Sequence, residues 1–269
     1  MNRIDARFES LRNAGRKAFI PFITAGDPDP DTTVRLLCGA EAAGADVIEL
    51  GFAYSDPLAD GPTIQDSYHR VLEAGQDING IFEIVRRARE QGCELPIVAM
   101  ASYSLVFRIG FEQFVERALE AGIDGATVPD LPVEEADALY PEAERRGFRL
   151  ICFVAPSTQG ERRAMVARHA AGFIYYIAVR GVTGARTALP ADMFENLREL
   201  KALTPVPVAV GFGISTPEQA RTTAEAADGV IVGSAIVRTM AEAHAQGKDA
   251  AAAALGFIGP LASAVKGPQ

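Results

Sequence analysis

The sequence predicts an α/β chain folded as a single (β/α)8 TIM barrel over residues 1–269. Three observations predict it. Eight short apolar runs alternate with longer amphipathic stretches. The runs are nearly continuous in apolar residues, as in parallel strands covered on both faces. The length of 269 residues suits eight strand–helix units in one domain, and no Ser/Gly linker or composition shift marks a second. A doubly wound open sheet is the alternative arrangement of the same units.

The strands read as 18–24, 46–50, 96–101, 125–128, 148–154, 173–179, 206–210 and 229–232. A helix over 31–43 follows Pro28-Asp29-Pro30 and stops at Gly44, and one over 111–121 stops at Gly122. A helix over 133–146 carries acids in its first turn and arginines in its last, which suits the helix dipole. Ser215 or Thr216 caps a helix over 217–226, and an Ala-rich helix covers 249–265. The longest gap lies between strands two and three and leaves room for an extra helix and a long loop. A second long loop follows strand six. In a barrel both loops open on the C-terminal face, where chemistry sits.

Composition excludes several function classes. There are 26 Lys and Arg against 35 Asp and Glu, a net charge of −9, and no basic stripe for nucleic acid. No apolar run is long enough to span a membrane, and the first residues lack an apolar leader, so a cytoplasmic location is expected. Cys38, Cys93 and Cys152 are far apart, with no CxxC pair, and His69, His169 and His244 have no metal-ligand spacing. No strand carries any of the four lysines, Lys17, Lys201, Lys248 and Lys266, which argues against Schiff-base chemistry. A G-x-S-x-G serine nucleophile is absent as well.

Two features point to chemistry. Strand seven runs into Gly211-Phe212-Gly213-Ile214-Ser215 and strand eight into Gly233-Ser234-Ala235, while Gly181-Val182-Thr183-Gly184 follows strand six. Glycine loops at the ends of strands seven and eight, with a helix starting at the second, form the usual barrel phosphate site. Singly, each glycine pair also reads as a turn. Glu49 interrupts an apolar strand, where burial raises its proton affinity and suits it to proton transfer near neutral pH. A structural carboxylate bonded to a backbone donor is the competing reading. Asp56 and Asp60 lie in the turn-rich run 55–62, and Asp130 follows strand four; each also reads as a helix cap. Carboxylates beside a phosphate cradle imply metal-free acid–base chemistry on a small phosphorylated substrate.

At this point a resemblance emerges. Pro21-Phe22-Ile23-Thr24-Ala25-Gly26-Asp27-Pro28, Ile48-Glu49-Leu50-Gly51 and Ser55-Asp56-Pro57-Leu58-Ala59-Asp60-Gly61-Pro62-Thr63-Ile64-Gln65 resemble the tryptophan synthase alpha subunit family. So do Pro129-Asp130-Leu131-Pro132-Val133-Glu134-Glu135 and the three glycine loops, so that the likeness runs from about Phe19 to Val237. The resemblance implies a lyase of tryptophan biosynthesis, an aldolase that splits indole-3-glycerol phosphate into indole and glyceraldehyde 3-phosphate. It implies that Glu49 is the acid/base and that Asp60 stabilises the positive indolenine nitrogen. It places Gly184, Gly213, Gly233 and Ser234 on the phosphate, and Phe22, Ile64, Thr127, Tyr175 and Phe212 around the substrate. Thr183 matches the lid over the site. It implies no cofactor in this chain, pyridoxal phosphate belonging to a beta subunit reached by the Phe52–Asp60 loop, Asp56 and Ser104 in an alpha–beta complex.

The departures from the family pattern cluster near the ring end. They are Phe52-Ala53-Tyr54 after Gly51, Ser102-Tyr103-Ser104 after strand three, Thr127, Ala178 and Arg180. Ala53, Tyr54 and Ser104 put the usual docking in question. Two alternatives therefore stand beside the lyase reading: a stand-alone paralogue that releases free indole or cleaves a modified aryl glycerol phosphate, and a non-catalytic allosteric partner of a beta subunit.

Overall fold

A computed structural model describes residues 1–58, 60–136, 139–178, 192–211 and 213–267. Eight parallel strands pair in sequence order and close into a barrel: β1 (Ala18–Thr24), β2 (Ile48–Gly51), β3 (Ile97–Met100), β4 (Gly125–Thr127), β5 (Arg149–Val154), β6 (Ile174–Ile177), β7 (Val208–Gly211) and β8 (Gly229–Val232). The helices are α1 (Arg3–Asn13), α2 (Pro30–Gly39), α3 (Pro62–Glu73), α4 (Ile78–Glu90), α5 (Tyr103–Ile109), α6 (Phe111–Ala121), α7 (Leu139–Arg145), α8 (Gly160–His169), α9 (Met193–Leu203), α10 (Pro217–Ala226), α11 (Ser234–Ala245) and α12 (Ala250–Lys266). The extra helix expected between strands two and three is present, as α3 and α4 both lie there; β3 and β8 are likewise each followed by two helices.

Period-two alternation divides the strand residues between two cores. Phe19, Ile23, Ile48, Leu50, Ile97 and Ala99 point outward and pack under the helices. Ala18, Ile20, Val47, Val98, Ile151, Phe173, Ala209 and Ile231 point inward and fill the barrel. The second set is completed by Ile4, Phe8 and Leu11 of α1, which plugs the barrel's N-terminal end. Asn2 caps that helix through a bond from Ile4 N and ties it to the carbonyls of Asp124 and Gly147, each 2.8 Å away. The spacing of Ile4, Phe8 and Leu11 is the sequence signal for α1, which the reading above does not include.

Three aspartates clasp the same end. Asp46 accepts from Phe19 N at 2.9 Å, Asp124 from Ile97 N at 2.9 Å and Asp228 from Val208 N at 3.0 Å. Each stands just before an even-numbered strand and holds the start of the strand before it. Lys17 and Lys201 pair with Asp228, and Lys266 with Asp46. Three of the four lysines are therefore fixed at the end opposite the catalytic rim.

Two helices are shorter than the sequence suggests. The one expected over 133–146 is α7, Leu139–Arg145. Pro141 explains the late start: deep inside a longer helix it would lack an amide donor and crowd the preceding turn, whereas here it falls in the first turn. The one expected to reach residue 43 ends at Gly39, and residues 40–43 form turns.

Candidate active site

Inward-facing residues at the C-terminal ends of the strands form the floor of a cavity of about 600 Å³ that is open to solvent. Phe22 of β1, Glu49 of β2, Met100 of β3, Tyr175 of β6 and Ile231 of β8 line it, with Asp60 and Ile64 from the loop into α3 and its first turn. In register, Phe22 stands beside Glu49 and Glu49 beside Val98. The alternation that sends Ile48 and Leu50 out to the helices is what turns Glu49 inward. At Gly51 the chain passes so close to Phe22 and the Tyr68 hydroxyl that a Cβ would collide with both.

Glu49 is 1% exposed. Its described hydrogen-bond partner is the Thr127 hydroxyl, which donates to Oε1 at 3.1 Å. Burial pushes its pKa up to about 8, and nearby Asp60 adds to the rise, while the Thr127 bond opposes it. Glu49 is therefore protonated at neutral pH. Asp60 is also raised, to about 6, by burial and by Asp130, while a bond from Tyr54 lowers it. At neutral pH Asp60 is ionised. Two carboxyl groups in one cavity thus hold opposite protonation states, the pattern that separates an acid from an electrostatic stabiliser.

The other end of the cavity is built for an anion. Gly213, Ile214 and Ser215 line it after β7, and Gly233, Ser234 and Ala235 after β8. Gly213 has φ +74°, which a side chain would resist, so the tight turn there needs glycine. α11 begins at Ser234, has no side-chain cap and carries no acid in its first turn, so its N-terminal amides and dipole face the cavity unopposed. Arg238, one turn further along α11, also lines the cavity; its guanidinium lies 4.0 Å from the Glu242 carboxylate.

The structure thus brings Phe22, Glu49, Asp60, Ile64, Tyr175, Gly213, Gly233 and Ser234 together in one cavity. Thr127 is fully buried beside that cavity, and its hydroxyl donates to Glu49. Thr183, Gly184, Phe212 and Arg180 lie outside the described residues. Asp130 accepts from Tyr103 N at the start of α5, at 2.7 Å, beside Ser102, which caps that helix. Sequence reading missed Met100, Ile231 and Arg238, and named Ile214, Ser215 and Ala235 only as members of the glycine loops. Arg238 was legible, because four residues beyond Ser234 is the same helix face.

Comparison with known proteins decides the family. A family model described as tryptophan synthase alpha chain matches residues 8–266. The tryptophan synthase alpha chain of Rhodopirellula baltica is 46% identical over 254 residues, 94% of this chain and 91% of that protein. That of Caldanaerobacter subterraneus subsp. tengcongensis is 47% identical over 244 residues, 91% of this chain and 92% of the relative. The chain belongs to the tryptophan synthase alpha chain family. Solved structures agree. A tryptophan synthase subunit alpha from Legionella pneumophila superposes with a TM-score of 0.90 at 37% identity, covering 98% of both chains. A Mycobacterium tuberculosis tryptophan synthase gives 0.89 at 32% identity, covering 99% of both.

Within this alpha-chain framework the departures near the ring end are not all on the surface. Phe52 is fully buried, its ring edge-on to Phe82 and Phe114. Ala53 is buried, and Tyr54 turns inward to Asp60. Ser104 is exposed and shares a hydrogen bond of 2.8 Å with Ser102. Ala178 is buried at the end of β6. Among the described residues of the loop expected to face a partner, Ser55, Asp56 and Leu58 are exposed.

Proposed function

We propose that this chain is a carbon–carbon lyase that cleaves indole-3-glycerol phosphate to indole and glyceraldehyde 3-phosphate in tryptophan biosynthesis. The observation that carries the proposal is two carboxyl groups, Glu49 and Asp60, buried in one cavity whose far end offers glycine turns and the N-terminus of α11 to an anion. The phosphate sits on the Gly213 loop and the N-terminus of α11, with Arg238 as counter-charge. The glycerol carbons cross the floor, and the indole ring lies against Phe22, Ile64 and Met100.

Glu49 gives its proton to indole C3, which leaves a positive indolenine nitrogen for Asp60 to stabilise. The Glu49 carboxylate then removes the proton of the side-chain hydroxyl next to the ring. The oxygen's electrons form the aldehyde C=O, the bond from that carbon to C3 breaks, and its electron pair restores the indole. Glu49 ends protonated, as it began, so one carboxyl group serves as acid and base and the chain needs no cofactor for the balance. Tyr175 walls the cavity beside the reacting carbons. The roles of Thr183, Gly184 and Phe212 carry over from the family resemblance.

The partner is a tryptophan synthase beta subunit. What supports this is family membership and two large apolar side chains on the C-terminal rim, Leu58 at 83% and Phe107 at 73% exposed. Such side chains are the anchors an interface core uses. No observation favours the stand-alone paralogue or the non-catalytic partner over this reading. The test is product stoichiometry with purified chain and indole-3-glycerol phosphate, with and without a beta subunit. Indole and glyceraldehyde 3-phosphate in equal amounts, formed faster with the beta subunit, support the reading. No indole under either condition overturns it.

A further inference from the structure

The loop between β2 and α3 that carries Asp60 is fixed in two ways. Its backbone is held by Gln65, whose side-chain amide donates to the carbonyls of Asp60 at 2.8 Å and Pro57 at 3.2 Å, and by a bond from Asp60 N to Pro57 O at 3.0 Å. The Asp60 carboxylate is held separately. The Tyr54 hydroxyl donates to Oδ2 at 3.3 Å, the only side-chain bond to that carboxylate among the described residues. Tyr54 is in turn braced, its ring lying 5.5 Å from the Tyr68 ring at 53°. Tyr68 is fully buried on α3 and its hydroxyl has no partner among the described residues. Tyr54 does not line the substrate cavity.

We propose that Tyr54 is a positioning residue for Asp60: it holds Oδ2 against the wall and leaves Oδ1 for the positive ring nitrogen of the substrate. The proposal rests on the role given to Asp60 above. Tyr54 acts through Asp60 and touches no reacting atom. It does two things at once, setting the direction of the carboxylate and favouring its charged form by donating to it.

The electrostatic setting is crowded with acids. Asp130 after β4 opposes ionisation of Asp60, and Asp60 in turn acts on Glu49 of β2, Tyr54, Tyr68 of α3 and Tyr175 of β6. None of these is a cation, so the donated hydroxyl is the described group that works toward the ionised form. Without it, Asp60 takes up a proton at higher pH.

Tyr54→Phe in the full chain removes the donor and keeps the ring on Tyr68. The expected result is a fall of about tenfold in kcat for indole release at pH 7 with KM changed less than twofold. The acid limb of the pH–kcat profile moves up by about one unit, the size of one hydrogen bond to a charged group. Tyr68→Phe loses a hydroxyl that has no partner among the described residues and leaves that limb in place. The second readout needs no substrate: titration of the Asp60 carboxyl by 13C NMR should show the same upward shift in Tyr54→Phe and none in Tyr68→Phe. An unshifted Asp60 titration in Tyr54→Phe overturns the proposal, whatever the activity. So does an equal loss of kcat in both variants with no change of limb, which would mean packing alone. A shifted titration in a chain that releases no indole supports the clamp while sinking the substrate assignment.

Discussion

Replacing Glu49 with Gln should inactivate the protein and stabilise it, and the stabilisation should grow with pH. Glu49 has an ordinary pKa of 4.5 and is held near 8 in the folded chain. The folded state therefore keeps a proton that the unfolded state gives up between those values. For a group raised in this way the stability contribution is complete below pH 4.5 and is lost as pH rises toward 8. Two and a half units separate the unfolded value from pH 7, at about 1.4 kcal/mol each, so burial of Glu49 costs about 3 kcal/mol there. Above pH 8 the cost levels off near 5 kcal/mol on the same arithmetic. Gln fills the same space, accepts the same Thr127 bond and has no proton to lose. Thermal unfolding followed by circular dichroism at pH 5, 7 and 8.5 measures this directly. At pH 5 the two chains should agree within about 1 kcal/mol. At pH 7 the variant should melt roughly 6–12 °C higher, at about 2–4 °C per kcal/mol for a chain of this size. A difference in Tm that is the same at all three values, or a variant that melts lower, would refute the claim that Glu49 is buried as the acid.

Three other perturbations follow from the same geometry. Thr127→Val removes the hydroxyl donor to Glu49, so the Glu49 pKa rises further; the alkaline limb of the pH–kcat profile should move up by about one unit, and an unmoved limb would deny that the bond acts on catalysis. Arg238→Ala takes away the counter-charge at the phosphate end. It should raise KM and the inhibition constant of glycerol 3-phosphate about tenfold while kcat stays within twofold, checked by steady-state kinetics at fixed ionic strength. Gly51→Ala drives a methyl into Phe22 and the Tyr68 hydroxyl and should cost about 1–3 kcal/mol in denaturant unfolding.

The barrel was legible in the sequence because buried parallel strands are apolar on both faces and need no alternation to be found. Strand ends proved softer: Asp46 reads as the start of a strand, yet its carboxylate is a clasp on Phe19. α1 went unread because an amphipathic helix before the first strand has no role until the barrel's open end exists for Ile4, Phe8 and Leu11 to fill. The end charges that suit a helix over 133–146 do not disclose that Pro141 sits in the first turn of the shorter α7. At the site, Glu49 stood out because a carboxylate inside an apolar strand is costly. What the sequence does not disclose is that Thr127 and Tyr54 each give a hydroxyl to a carboxylate. The Thr127 bond spans 78 residues of chain, and no local pattern announces a contact of that range. The glycine loops were readable since phosphate cradles depend on backbone; Arg238 went unnamed although it shares a helix face with Ser234.

In the proposed reaction a protonated Glu49 and an ionised Asp60 together break the bond between the indole ring and its side chain. Indole release from indole-3-glycerol phosphate at pH 7, compared among the wild-type chain, Glu49→Gln and Asp60→Asn under identical beta-subunit conditions, tests it most directly. The wild type should release indole, Glu49→Gln should lose at least about 100-fold in kcat, and Asp60→Asn should show a substantial but smaller loss. Release at wild-type rates by Glu49→Gln would contradict it.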